Sequence, residues 1–487
     1  MINSGFSFDV SDEQGAVGRN PVHMERIEYF KTALTSGLPF DPTLGQGNAI
    51  HAMARFLATD KEKCVFMLKG YAGTGKTSLM RSMVELLAQE NVPYKCLAPT
   101  GRAAKVLSSY TGRAAFTIHK QIYRRAMDPA TGRSVFQMNP NRRKGMVFIV
   151  DEASMIADGS SLAGNDLLED LLEHVFAVPG CRLLLIGDEA QLPPVHLDRS
   201  PAMDPELLRS RYGLLVAERN LDEVVRQAVD SGILEYATAI RKRIDEEDPS
   251  KEPIPIPEAL DVQYLSPIDL PDVLQDCYDK YGLEDVKVIC RSNKDANSFN
   301  HQIRNRVFYH DEQLCAGEML MVVRNNYLWM GEGAEIPFIA NGEMAELMSM
   351  GNHQELYEGA FVDAGLRFVD QEGEPVLDCK LMLEVLDAQG PSLSEDRSKH
   401  IYHAVKEDLS HEYGGRELHA AMRKDPYYNA LQVKYGYAVT CHKAQGGQWP
   451  VVIIYPGFLT EEMMDRGYWR WLYTAVTRAT KKLYIIQ

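Results

Sequence analysis

The stretch "LKGYAGTGKTSLM", Leu68 to Met80, sets three glycines between an apolar run and a run of helical character. A strand needs side chains to pack and a helix interior disfavours glycine, so neither element explains the spacing. Cys64 to Leu68 reads as a short buried strand, and Thr77 to Ala88 has helical composition and spacing. Between them Gly70, Gly75, Lys76 and Thr77 fit the pattern G-x-x-x-x-G-K-[ST]. Glycines at these positions let backbone N–H groups curl inward as an anion nest, and the helix that follows presents its positive dipole end. A nucleotide's phosphates would fill the space left by the missing side chains. The candidate nucleotide-binding residues are therefore Gly70, Gly73, Gly75, Lys76, Thr77 and Ser78. Lys76 would reach the β- and γ-phosphates of ATP, and the Thr77 hydroxyl would ligate Mg²⁺.

A phosphate loop needs a partner carboxylate. "GMVFIVDEASMI" supplies one: a strand from Val147 to Val150 ends in Asp151 and Glu152. The C-terminal ends of parallel strands are where α/β folds place their ligands. Asp151 would hold Mg²⁺ through the ion's bound water, and Glu152 would orient and deprotonate an attacking water. The alternative is that Asp151 caps a helix beginning at "EASMI".

Three further stretches narrow the class of NTPase. "CLAPTGRAAKVL" runs from a strand, Tyr94 to Leu97, into a helix near Gly101, which places Thr100 and Arg102 at the helix start. "FTIHK" follows at Phe116 to Lys120. "LLLIGDEAQLPPV", Leu183 to Val195, is another buried strand, ending in Gly187, Asp188, Glu189 and Gln191. In sequence and order these stretches resemble the ordered motifs of superfamily 1 helicases. "LDEVVRQ", "YAVTCHKAQGGQW" and "LYTAVTRATKKLYII" in the second half agree. "TGRAA" and "TIHK" resemble the 1B branch, which holds the RecD and Dda helicases, rather than the UvrD branch. The resemblance runs from about Gln46 to the C-terminus.

The resemblance implies roles residue by residue. Gln46 matches the adenine-reading glutamine upstream of the phosphate loop, or else is a solvated helix residue. Gln191 matches the γ-phosphate sensor. Arg226 and Arg478 match the two arginines that reach the γ-phosphate from the second motor domain, where they stabilise the charge of phosphoryl transfer. Thr100, Arg102, Thr117, His119, Thr440 and His442 match positions that touch the bound strand, contacts that position without reading sequence. Each threonine also reads as a helix N-cap. One departure stands out. Where the family has a glutamate for the ribose hydroxyl, this chain has Gln448, which can hydrogen-bond a hydroxyl but carries no charge.

The net charge of −16 argues against nucleic acid when taken alone. A local basic channel can coexist with acidic outer faces, and Arg133, Arg142, Arg143 and Lys144 form such a cluster. The longest apolar runs are strand-sized and far short of a membrane span. No secretory signal is visible at "MINSGFSFDVSDEQ". The eight cysteines show no CxxC pairing, so a reducing cytoplasm is the expected compartment, without zinc or disulfides.

The expected fold class is α/β, with two RecA-like P-loop motor domains, an inserted β-hairpin pin and an inserted SH3-like β-barrel. Residues 1–40 form an N-terminal extension in which "MERIEYFKTALTSGL" reads as a helix leaning on the first motor domain. That domain covers 41–220, with strand–helix alternation. Turn residues around a short "SVFQM" strand place the hairpin at about 123–145, and Phe136 either faces the bases or packs on the hairpin's own base. The second motor domain covers 221–340 and 431–487, and the barrel covers 341–430. The resemblance implies a monomeric ATP- and Mg²⁺-dependent DNA helicase. It would act on single-stranded DNA and on junctions with duplex, travelling 5′→3′, with ATP between its motor domains. Two rivals stay open: an RNA-directed helicase or non-unwinding translocase, and a nucleotide-switched adaptor.

Overall fold

The computed structural model describes residues 21–127, 134–157, 166–225, 231–326, 328–329, 338–371 and 373–487. By its own contacts the chain divides into two units. The first holds the chain up to Pro99, Ala103–Arg124 and Phe136–Leu234; the second holds Thr100–Arg102, Arg125–Val135 and Glu235–Gln487.

Helix α1 (Pro21–Ser36) packs on α2 (Leu44–Ala58) ahead of the first strand. A capping box starts α2: Thr43 Oγ1 accepts the Gln46 amide N–H, and the Gln46 side chain accepts that of Thr43. Strand β1 (Cys64–Gly70) leads through the phosphate loop into α3 (Lys76–Gln89). Then come β2 (Tyr94–Ala98), α4 (Gly101–Thr111) and β3 (Ala115–Thr117). Strands β4 (Tyr123–Met127) and β5 (Ser134–Met138) pair as a two-stranded hairpin; they are followed by β6 (Val147–Val150), β7 (Arg182–Gly187) and β8 (Leu215–Leu221).

Six of these strands form one sheet in the order β3-β2-β6-β7-β1-β8, with parallel pairing throughout. Every residue of β1 and β6 is buried, as expected of strands covered on both faces. Alternation splits β1 between two cores. Phe66 and Leu68 face α1–α3, while Val65 and Met67 face a cluster that includes Ile118, Leu171 and Met203. Each such buried side chain contributes on the order of 1.5–3 kcal/mol.

The hairpin is anchored at its base. Tyr123 Oη donates to Asp170 Oδ2 at 2.6 Å, and both groups are buried. The Asn139 N–H donates to the Ile122 carbonyl at 2.7 Å, and His174 Nδ1 donates to the Asn139 carbonyl at 2.6 Å. Burial holds the His174 imidazole below its ordinary pKa, so the ring remains a neutral donor at this site.

The second unit carries β9 (Val262–Leu265) and β10 (Val286–Cys290), then a barrel of β11 (Met319–Val322), β12 (Met344–Leu356), β13 (Gly359–Phe368), β14 (Val376–Met382) and β15 (Leu431–Tyr435). It closes with β16 (Ala438–Thr440), β17 (Trp449–Tyr455) and β18 (Ala479–Ile486). A five-stranded parallel sheet runs β16-β10-β17-β18-β9. Its edge strand β16 is finished by a side chain: Asn300 exchanges hydrogen bonds of 2.9 and 2.7 Å with the backbone of Ala438. The barrel is closed. Its first and last strands lie outside 341–430, because β11 and β15 pair with each other in antiparallel register. Helices Glu395–Ser410 and Gly415–Lys424 stand between β14 and β15. Among the described residues no helix is long and apolar enough to cross a membrane.

Candidate nucleotide site and strand-contacting loops

Strands β6, β7 and β1 are neighbours in the first sheet, so their C-terminal ends bring three loops together. The loop after β1 holds the glycines. Gly73 and Gly75 sit at φ +75° and +87°, in the left-handed region that side chains disfavour. Gly75 is the N-cap of α3 and provides no side-chain cap, and the first turn of α3 holds no acidic residue. The helix start, with Thr77 and Ser78 in its first turn, therefore keeps N–H groups for an anion. Lys76 Nζ donates to the carbonyls of Gly70 and Tyr71 at 2.7 and 2.8 Å, which centres its charge over the loop.

The loop is tied down from one side by α2. Gln46 is 1% exposed, and its Nε2 donates to the Thr74 carbonyl at 2.9 Å. The solvated alternative for Gln46 is thereby corrected: its amide is spent between the helix cap and the phosphate loop.

After β6, the Asp151 N–H donates to the Leu97 carbonyl at 2.9 Å and prolongs the β2–β6 ladder. Asp151 Oδ1 accepts the Glu152 N–H at 2.9 Å. Glu152, and not Asp151, precedes the short helix Ala153–Met155, so the N-cap alternative for Asp151 does not hold. Glu152 itself adopts φ +52°. A non-glycine residue there costs about 1–3 kcal/mol, a strain that recurs where a side chain must be aimed.

After β7, Asp188 Oδ1 accepts the Ala190 N–H at 3.0 Å, which fixes the turn that carries Gln191. Gln191 is 7% exposed, yet its Oε1 has no hydrogen-bond partner among the described residues, and neither does Ser154 Oγ. A buried acceptor left open costs about 1–3 kcal/mol, which a bound water or ligand donor would recover. A hydroxyl at Thr77 and a carboxylate at Asp151 are the hard oxygen donors that Mg²⁺ prefers. The residues present fit a magnesium nucleotide.

In the second unit, Arg478 is 2% exposed. Its guanidinium donates to the carbonyls of Thr474 (3.0 Å) and Gly447 (3.2 Å) and to Thr477 Oγ1 (3.1 Å), while its own carbonyl accepts the Trp449 N–H at 2.9 Å. Arg478 thus brackets the turn that holds the half-buried Gln448. Thr440 ends β16, with no side-chain cap on the helix Cys441–Ala444, and His442 is exposed on that helix.

A sequence-family model described as "AAA domain" matches residues 45–248, and one described as "UvrD-like helicase C-terminal domain" matches 435–486. "ATP-dependent DNA helicase dda" of Enterobacteria phage T4 is 27% identical over 296 residues, 58% of this chain and 61% of that protein. "ATP-dependent RecD2 DNA helicase" of Deinococcus radiodurans is 29% identical over 242 residues, 46% of this chain and 30% of that protein. In these matches the chain is similar to helicases of the superfamily 1B type. Its matches span less than two thirds of the length of either relative. Among solved structures, a Bacteroides Pif1 helicase "in complex with ADP-AlF3 and ssDNA" aligns over 92% of both chains at 15% identity and a TM-score of 0.44.

Of the residues that the sequence motifs single out, the first unit gathers Gln46, Gly70, Gly73, Gly75, Lys76, Thr77, Ser78, Asp151, Glu152 and Gln191 around adjacent strand ends. Thr117 lies at the end of β3 and caps the helix Ile118–Ile122, its Oγ1 accepting the Lys120 N–H at 3.1 Å. His119 lies on that helix, with its ring 5.7 Å from that of Tyr123. Thr100 and Arg102 flank the first residue of α4 and group with the second unit. Arg226 lies outside the described residues, as does the side chain of Phe136 on β5.

Sequence reasoning missed Lys69. It is 8% exposed at the end of β1, and its Nζ lies 3.3 Å from both Glu189 and Glu218. Glu189 is also 3.4 Å from Arg199. A lysine in an otherwise apolar strand was the available signal, since such a residue is buried only with a partner.

Proposed function

We propose that this chain is an ATP- and Mg²⁺-dependent DNA helicase that travels 5′→3′ on single-stranded DNA and unwinds duplex. The observation that carries the reading is the convergence of the phosphate loop, the Asp151–Glu152 turn and the open Gln191 acceptor on neighbouring strand ends of a parallel sheet. Lys76 and the N-terminus of α3 would grip the triphosphate, and Glu152 would take the proton of the attacking water. Bound Mg²⁺, held by Thr77 and Asp151, would neutralise charge on the phosphates. Arg226 and Arg478 are assigned the charge that develops at the γ-phosphate, and Gln448 the ribose. Thr100, Arg102, Thr117, His119, Thr440 and His442 are assigned the sugar–phosphate track, and Phe136 the separation of bases. The names of the dda and RecD2 relatives favour DNA as the track.

The test is ATP turnover with and without single-stranded DNA, followed by unwinding of 5′-tailed and 3′-tailed duplexes. Strong stimulation and unwinding of the 5′-tailed substrate alone are expected, and Lys76→Ala abolishes both. Equal activity on RNA duplexes overturns the choice of track. Turnover indifferent to any polynucleotide points to a nucleotide-switched adaptor.

A further inference from the structure

A cleft opens in the first unit between the second half of α2 and the sheet's edge strand β8. It is lined by His51, Ala52, Arg55, Phe56, Ala217 and Arg219. The hollow holds about 20 Å³, the space of a single water, so a side chain would cover it and not enter it. Ala52 and Phe56 are buried and form an apolar floor, with the half-buried Ala217. His51 and Arg55 stand four residues apart on one face of α2, and Arg219 follows Ala217 by two positions on one face of β8. The rim therefore carries three cationic-type groups around an apolar centre.

The rim charges are open. Neither Arg55 nor Arg219 is paired with a carboxylate among the described residues; Arg219 donates only to the neighbouring Glu218 carbonyl, at 2.6 Å. Lys69, on the adjacent strand β1, has two carboxylates at 3.3 Å. In a chain of net charge −16, two guanidiniums without a carboxylate partner among the described residues converge on one cleft. Their field reaches His51, where burial first, then Arg55, Lys31 and Arg219, hold the imidazole below its ordinary pKa against the opposing charge of Glu28.

We propose that this cleft docks an acidic peptide segment of a partner protein. An aromatic side chain would cover the floor formed by Ala52, Phe56 and Ala217, and flanking carboxylates would pair with Arg55 and Arg219. Charge complementarity selects the acid, because guanidinium forks match carboxylates. The closed apolar floor selects a side chain over a polynucleotide, which needs cations spaced along a track and not gathered around one hollow. The edge position of β8 offers an extended peptide backbone hydrogen bonds as well. None of the lining residues belongs to the nucleotide site or to the strand-contacting motifs, so the proposal stands independently of the motor reading.

The experiment uses the full chain and a fluorescein-labelled peptide of five aspartates followed by phenylalanine, read by fluorescence anisotropy. Saturable binding is expected, weakened at least tenfold by the double substitution Arg55→Glu, Arg219→Glu and by replacing the peptide's phenylalanine with serine. DNA-stimulated ATP turnover and the melting temperature of the double variant should stay at wild-type values. In NMR titrations the His51 imidazole should take up its proton at higher pH once peptide is bound. Unchanged peptide affinity in a folded double variant overturns the proposal. So does displacement of the peptide by a single-stranded oligonucleotide whose own binding the double variant weakens equally, which would make the cleft a nucleic-acid surface.

Discussion

Gln46 and Thr74 are joined across 2.9 Å, the glutamine Nε2 donating to the threonine main-chain carbonyl. The same side chain closes the capping box at the start of α2, so one amide couples a helix cap to the phosphate loop. Gln46→Ala should cost about 1 kcal/mol of stability, the usual worth of a cap. It should also raise the KM for ATP several-fold, because the loop loses its outer tie. Calorimetric melting and steady-state turnover measure the two effects. A raised KM with no loss of stability would assign Gln46 to the nucleotide alone.

Gly75 must remain glycine for two reasons: its φ of +87° and the contact that a Cβ would make with Gln46 Nε2. Gly75→Ala should destabilise the first unit by about 1–2 kcal/mol through the left-handed backbone alone. Titration with a fluorescent ADP should show binding lost at concentrations that saturate the wild type. Normal binding would mean that the loop readjusts.

Glu152 holds a strained backbone with the side chain proposed as base. Glu152→Gly should raise stability by up to about 1 kcal/mol while turnover falls by about 10²-fold or more. Glu152→Gln should lose turnover without that gain. A glycine variant no more stable than wild type would remove the argument from strain.

Arg478 is enclosed by its own turn. Arg478→Ala should lower stability by on the order of 2–4 kcal/mol, because the carbonyls of Thr474 and Gly447 lose their charged donor. Turnover should fall as well. Lost turnover at unchanged melting temperature would instead place the guanidinium's work wholly on the nucleotide.

Glu343 is 6% exposed, and burial pushes its carboxyl up to about 7 despite N–H donors at Gln371 (2.6 Å) and Ala340 (3.2 Å). A carboxyl raised in the folded state contributes stability that is complete below its ordinary pKa and lost as pH rises through 7. Wild-type stability relative to Glu343→Gln should therefore decline between about pH 4.5 and 7 and then level off. Denaturant melts at pH 4.5, 6 and 8 measure this. A constant difference between the two proteins would mean that the carboxyl ionises normally.

The parallel sheets and the phosphate loop were legible because their signals are local. Gly70, Gly75, Lys76 and Thr77 stand at fixed offsets, and "VFIV" and "LLLIG" are continuous apolar runs ending in acids. What escaped depends on partners distant in sequence. Whether Gln46 is solvated or spent, and whether Asp151 caps a helix, are decided by Thr74 and by the turn at Glu152. Lys69 went unremarked in the sequence because its partners, Glu189 and Glu218, come beside it only in the fold. The barrel's bounds were missed because β11 and β15 are short strands whose pairing closes over about a hundred residues. Periodicity within either segment cannot report that.

Met319–Val322 and Leu431–Tyr435 form a stem in which the excursion's departure and return are laddered together. Whatever hangs beyond that stem can grow, shrink or be exchanged while the parent sheet meets the same two ends. Lengthening an already closed excursion adds only slowly to its entropic cost. Decoration of the barrel with helices such as Glu395–Ser410 is thus an open evolutionary margin, where new appendages can be tried without disturbing the parallel sheet.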